Sequence, residues 1–310
     1  SLHPADWDGG GMTQFIANTL ASNPPKPGQR YIPFVPRTGI VIADKLDLMP
    51  DVFQLEDQLD VGSCVVNGQG SQIESMLKVA GRPRDISRMA WYTMALKYEN
   101  RLGQEGLAPA DALHVGYTMG VCDESAYPYD PNLRAVDPPQ VIYDLASKTC
   151  IDRYECVAAI WDNWNEEKKI DLVLAALNER IQVGFACQVS DSLRHLSGPW
   201  QTHNYIPVSY PNNPSIGGHY EDFIGYDLSI RKFLVQGSWG TKKPDGTPYG
   251  DGGFVGLPFS VVNSPFFESW IIRGFDGVEI AEEPGIKLEV VNRYRIEARI
   301  IPKPAELGTT

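Results

Sequence analysis

The chain has 310 residues, a length that fits one large domain or two modest ones. Hydrophobic residues make up 43% and aromatics 10%, which excludes a disordered chain. With 27 basic against 39 acidic side chains the net charge is −12, a poor fit to nucleic acid or an anionic membrane surface, and no apolar stretch approaches the roughly 18 residues of a bilayer span.

Residues 1–11 (SLHPADWDGGG) lack the positive start and apolar core of a signal peptide and read as a vector remnant or a processed end, which leaves the compartment open. Pro24, Pro25, Pro27, Pro33 and Pro36 suit an extended arm crossing a surface, so 1–37 is read as an N-terminal arm. Three helices follow. The first runs from Cys64 to about Ala80, with Val65, Val66, Ile73, Met76 and Leu77 on its core face and Ser63 as its cap. The second covers Met89 to Tyr98. The third runs from Glu166 to Ile181, with Ile170, Val173, Leu174, Leu177 and Ile181 at helical spacing.

After Gln182 the pattern changes to short apolar runs separated by Gly, Pro, Asn and Asp: Val183–Val189, Phe223–Tyr226, Phe233–Val235, Phe254–Val255 and Trp270–Ile272. Helices followed by strands indicate an α+β fold rather than alternating βαβ units. Over 286–301, Ile286, Leu288 and Val290 alternate with Lys287 and Glu289, and Ile296, Ala298 and Ile300 with Arg295, Glu297 and Arg299. That is a β-hairpin with one buried face, an added element that could dock a protein partner.

Cys64, Cys122, Cys150, Cys156 and Cys187 form no CxxC pair, and the five histidines are scattered, so neither a metal site nor a cofactor is expected. The odd count leaves at least one thiol unpaired. Cys150 and Cys156 are near enough in sequence for a disulfide, and reduced, buried cysteines fit equally well.

Cys64 ends the run Asp57-Gln58-Leu59-Asp60-Val61-Gly62-Ser63-Cys64 and opens a helix. The positive end of the helix dipole favours a thiolate there, which makes the sulfur nucleophilic. Such a nucleophile needs a histidine to move its proton and N–H donors for an oxyanion; the Cys64 N–H and the Gln58 amide are the candidates. His219, in Gly217-Gly218-His219, opens an apolar strand 155 positions later, before Gln236-Gly237-Ser238-Trp239-Gly240.

These segments, with Val121–Tyr129 (VCDESAYPY), Val183–Leu193, Gly217–Asp227 (GGHYEDFIGYD), Gly250–Gly253 and Leu257–Ile272, resemble in order the papain-like cysteine peptidases, and their bacterial and phage branch more than the animal cathepsins. The resemblance covers about residues 40–273. It implies a two-lobed fold over 38–275, with a helical lobe at about 55–180, an antiparallel β-barrel lobe at about 181–275 and a solvent-open cleft between them. The hairpin at 276–310 would be an extension. It also implies Cys64 as nucleophile, His219 as general base and acid, Gln58 as oxyanion-hole amide and Trp239 as the indole shielding the histidine.

Two positions depart: after the cysteine the family usually has an aromatic or Thr, and here that residue is Val65. The family carries an asparagine before Ser-Trp-Gly, and here that residue is Gly237. An asparagine there orients the imidazole, and its loss costs activity by orders of magnitude without removing the nucleophile–base pair. Asn204, Gln236 or a bound water could substitute, although strand alternation turns Gln236 away, and restoring Asn at 237 is expected to raise activity. Glu221 and Asp222, beside His219, read as solvated charges, the alternative being a preference for basic side chains nearby. The expected function is peptide hydrolysis through a Cys64 thioester on a peptide or protein substrate. The alternative is a catalytically silent structural or binding component, for example of a phage particle.

Overall fold

The computed structural model describes residues 17–25, 28–209 and 211–279, and the main chain of 288–292 and 295–298. Residues 1–11 lie outside the described residues.

Helix α1 (Cys64–Val79) is buried from Cys64 to Leu77, polar residues included. Burying polar groups is tolerable only when each is hydrogen-bonded. Asn67 Nδ2 donates to the Ser63 carbonyl and hydroxyl, both at 2.9 Å, and Gln69 Nε2 to the Pro109 carbonyl at 3.0 Å. Gln72 Nε2 donates to Asp222 Oδ1 at 2.9 Å, while its Oε1 accepts from the Ile272 N–H at 3.2 Å. Ser63 does not cap α1 as expected. Its hydroxyl is taken by the Tyr129 hydroxyl at 2.6 Å.

Helix α2 (Arg88–Tyr98) is capped by Ser87, whose hydroxyl accepts from the Ala90 N–H. Two helices are additional to the sequence reading: α3 (Pro109–Thr118), with proline at its start, and α4 (Gln140–Ala146), too short to show a helical period. Helix α5 (Glu166–Asn178) is capped by Asn165, with Glu166 and Glu167 placed favourably at its positive end.

The strands are β1 (Lys45–Asp47), β2 (Ile151–Ala158), β3 (Val183–Ser190), β4 (Ser215–Asp227), β5 (Lys232–Gln236), β6 (Phe254–Pro258), β7 (Glu268–Phe275) and β8 (Val278–Glu279). They form one antiparallel sheet in the order β2-β7-β3-β4-β5-β6, with β1 on β4 and β8 on β7. The sheet is open, which corrects the expectation of a barrel. Closure would require β2 to meet β6, and each edge is occupied otherwise. Pro33 pairs with Cys156 on β2, and the turn at Trp200 packs so close to β6 that a Cβ on Gly256 would lie 2.0 Å from the Trp200 carbonyl oxygen.

Two apolar cores result. Trp91, Leu77, Leu113 and Trp270 fill one between α1, α2, α3 and the sheet. Phe185, Phe223, Phe233, Val173 and Leu177 fill the other, so α5 packs on the sheet. Strands β9 (Leu288–Asn292) and β10 (Arg295–Ala298) pair antiparallel, Val290 opposite Ile296. The buried face expected there lies outside the described residues. All five cysteines are free. Cys150 and Cys156 lie along one extended run, which separates them by about 20 Å.

Candidate active site

Cys64 is the first residue of α1 and is wholly buried. Its Sγ lies 2.9 Å from Thr19 Oγ1 and also meets the backbone of Tyr220, Asn18 and Val65. Burial pushes the thiol above its ordinary range, and these contacts oppose that rise without cancelling it. The lowered pKa expected from the helix terminus is thus overturned in this state, because the site is closed to water.

The contact with Tyr220 sets Cys64 against β4, one residue from His219. The His219 imidazole, 1% exposed, stacks on the Trp239 indole with centroids 4.3 Å apart and planes 23° from parallel. Neither ring nitrogen has a hydrogen-bond partner among the described residues. Burial lowers the imidazole pKa to about 3, and the Arg194 charge acts in the same direction. Gln58 is held in the loop before α1. Its Nε2 donates to the Val61 carbonyl at 2.9 Å, and its Oε1 accepts from Ser238 Oγ at 2.6 Å, so the carboxamide is fixed beside the helix start.

Glu221 and Asp222 are not solvated. They are 2% and 1% exposed. Asp222 turns toward α1 and accepts from Gln72. Glu221 lies on the His219 face of β4, its Oε1 3.6 Å from His219 Nε2. Neither suggested substitute for the missing asparagine faces the ring: Asn204 is exposed, and Gln236 Nε2 donates to the Gln54 carbonyl and the Ser71 hydroxyl. A Cβ on Gly237 would lie 3.0 Å from Glu221 Oε1, so an asparagine there crowds the glutamate and makes its carboxylate shift. Period-two alternation from His219 was the sequence signal that could have found Glu221.

The cleft is not open to solvent. Residues 17–20 run through it as an extended strap. The Thr19 N–H donates to the Gly218 carbonyl at 2.8 Å and the Leu20 N–H to the Leu107 carbonyl at 3.0 Å, one on each wall. Both walls are bare there: a Cβ on Gly106 would sit 1.8 Å from the Asn18 carbonyl oxygen, and one on Gly218 2.2 Å from that of Thr19. Nothing in the sequence pattern announced this contact.

Elsewhere, carboxylate oxygens of Glu56, Glu74 and Asp85 approach within 4.8 Å of one another, the donor set a cation would need. Their charge is already met otherwise. Arg88 pairs with Glu56, Gln54 Nε2 donates to Glu56 and Asp85, and burial raises the Glu74 carboxyl to about 8, so that it keeps its proton.

No protein-family model matches the chain. In sequence it is 25% identical over 241 residues to an uncharacterized peptidase C1-like protein of Acanthamoeba polyphaga mimivirus, covering 76% of this chain and 74% of that one. In structure it matches xylellain, a cysteine protease from Xylella fastidiosa, with a TM-score of 0.65 and 24% identity over 83% of this chain and 95% of that one. The fold is papain-like. Digestive procathepsin L 3 of Tenebrio molitor larval midgut shares it at a TM-score of 0.55 and 18% identity, over 78% of this chain and 76% of that one. The ragweed cysteine protease Amb a 11, in its proform, does so at 0.54 and 19%, over 74% and 66%. No helix of the described residues is long and apolar enough to cross a membrane.

Proposed function

We propose that the chain is a papain-like cysteine peptidase held in a closed, latent form, hydrolysing peptide bonds through Cys64 and His219. The observation that carries this reading is the strap. An extended main chain lies at the Cys64 sulfur, hydrogen-bonded to both walls, where a peptide substrate would lie. Residues 1–37 then form an arm, 38–275 the peptidase body and 276–310 an extension.

When the strap leaves, water reaches the sulfur and the desolvation that raises its pKa is relieved, so the helix terminus can act on it. Cys64 attacks the scissile carbonyl, and its proton passes to His219. The oxyanion is met by the Cys64 N–H, which has no acceptor within the helix, and by the Gln58 amide. His219 returns the proton to the departing amine. Water then hydrolyses the thioester, with His219 again as base.

The silent alternative draws on two observations: the missing asparagine, and the absence of any hydrogen bond from His219 to the sulfur. One experiment separates the two readings. Thr19→Pro removes both the strap's N–H donor and its hydroxyl. The full chain and this variant are exposed to an epoxysuccinyl peptide, and adducts are located by mass spectrometry. The expected result is slow labelling of the parent and fast, stoichiometric labelling of T19P at Cys64, lost in T19P/Cys64→Ser and much reduced in T19P/His219→Ala. Labelling of a folded T19P variant no faster than a free thiol overturns the peptidase reading.

A further inference from the structure

We infer that Glu221 replaces the orienting asparagine that position 237 lacks, holding the His219 imidazole through Nε2. The inference rests on the peptidase reading above and names a residue that acts through His219, not on substrate.

Four observations converge. His219 and Glu221 are two apart on β4, within a stretch of regular register against β3, and so share a face. The carboxylate lies toward Nε2, at 3.6 Å, which leaves Nδ1 as the nitrogen available to Cys64. Trp239 on the ring face fixes the imidazole plane, so only an in-plane partner remains to be supplied. Finally, both carboxylate oxygens and both ring nitrogens are buried and lack hydrogen-bond partners among the described residues. Unpaired polar groups are costly to bury, and these two face each other. Closing the gap by less than about 1 Å satisfies both.

Gly237 completes the argument. Its bare Cα is what makes room, since a Cβ there would lie 3.0 Å from Glu221 Oε1. Glycine at 237 therefore leaves the Glu221 carboxylate its place beside the ring. The third group of the site has moved from the turn after β5 to β4 itself.

The proton inventory balances. In the closed site burial holds the Glu221 carboxyl at about 8 and the imidazole at about 3, so both are uncharged near neutral pH. With the site open to water and Glu221 ionised, Nε2–H donates to its carboxylate and the Nδ1 lone pair takes the Cys64 proton. The S–H bond breaks, an N–H bond forms, and the imidazolium is paired with a carboxylate. The groups around the pair are Arg194 toward His219, and Cys187, Asp222, Tyr205 and Tyr249 toward Glu221. Arg194 is the one cation in that set, and of the two carboxyls Asp222 turns to Gln72 on α1, so Glu221 is the anion that holds the imidazolium.

The test uses the full chain carrying T19P, with peptide hydrolysis, its pH profile and circular dichroism measured together. Glu221→Ala is expected to lower hydrolysis by roughly 100-fold or more. Glu221→Gln should stay within about 10-fold of the parent, its alkaline limb moved to lower pH by about one unit, because an amide does not stabilise the imidazolium as a carboxylate does. Gly237→Asn alone should reduce activity by crowding Glu221, whereas Gly237→Asn in the Glu221→Ala background should restore at least about 10-fold. Glu221→Ala as active as the parent, or a folded double variant without rescue, overturns the inference. An inactive parent sinks the peptidase reading instead. In that event the 15N shifts of His219 still decide: Glu221→Ala must change the Nε2 protonation state, and unchanged shifts refute the pairing.

Discussion

Thr19 Oγ1 lies 2.9 Å from Cys64 Sγ, so the strap's side chain and the helix-terminal thiol satisfy each other in a site from which water is excluded. A neutral hydrogen bond contributes on the order of 1 kcal/mol. Thr19→Ala, which keeps the strap's backbone bonds, should therefore raise the rate of Cys64 alkylation by iodoacetamide about 5-fold. Thr19→Pro, which also removes the Thr19 N–H bond to Gly218, should exceed it. Equal rates for the parent and both variants would show that the strap does not guard the sulfur.

Gly106 has φ +79°, and its missing Cβ makes room for the Asn18 carbonyl. Gly106→Ala meets both a strained backbone and the strap. Loss of roughly 1–3 kcal/mol of stability is expected in urea titration, together with faster alkylation of Cys64. Destabilisation without added thiol exposure would mean that the strap had adjusted rather than left.

Burial raises Glu74 to about 8, Glu221 to about 8 and Glu268 to about 7 from an ordinary 4.5. Between about pH 4.5 and 8 the folded chain keeps protons that the unfolded chain has released, so stability falls as pH rises through that window. His219, lowered to about 3 from 6.5, acts oppositely, losing its contribution as pH falls below about 6.5. Three carboxyls outweigh one imidazole, so urea denaturation should show a more stable fold at pH 5.5 than at pH 8. Glu74→Gln, which can still accept from the Ile86 N–H and donate toward Asp85, should narrow that difference by on the order of a few kcal/mol. An unchanged difference would assign the pH dependence to other groups.

Arg273, 1% exposed, donates to Glu155 and to Glu179, both at 2.9 Å, and so ties β7 to β2 and to the residue after α5. Removing one partner of a buried ion pair costs about 3–5 kcal/mol. Arg37 and Arg153 also pair with these carboxylates, so Arg273→Ala should fall at the low end, about 3 kcal/mol by urea titration. A cost under about 1 kcal/mol would mean that the two outer arginines suffice.

The elements legible in the sequence were those with a period and a punctuation mark. Helix α1 shows its apolar spacing, and α2 and α5 add a capping Ser87 and Asn165. The runs that became β3 to β7 stand between glycines and prolines. Helix α3 was missed although Pro109 marks its start, and β2 because Asp152, Arg153 and Glu155 interrupt its apolar residues. The apolar face of α5 revealed a helix without saying which core it enters. At the site, Cys64, His219, Gln58 and Trp239 could be named from local pattern and resemblance. Glu221 was missed: alternation puts it on the His219 face, but a charge beside a histidine reads as solvated until burial is known. Thr19 could not be named, because its contact spans 45 positions with no local signature.

The two facing glycines, Gly106 and Gly218, give the channel a further property. Beside the sulfur the strap's main chain is bonded to main-chain carbonyls of Gly218 and Leu107, so that part of its hold uses groups every polypeptide carries. What depends on the residue at that point is the contact with the sulfur, which in this closed state the Thr19 hydroxyl fills.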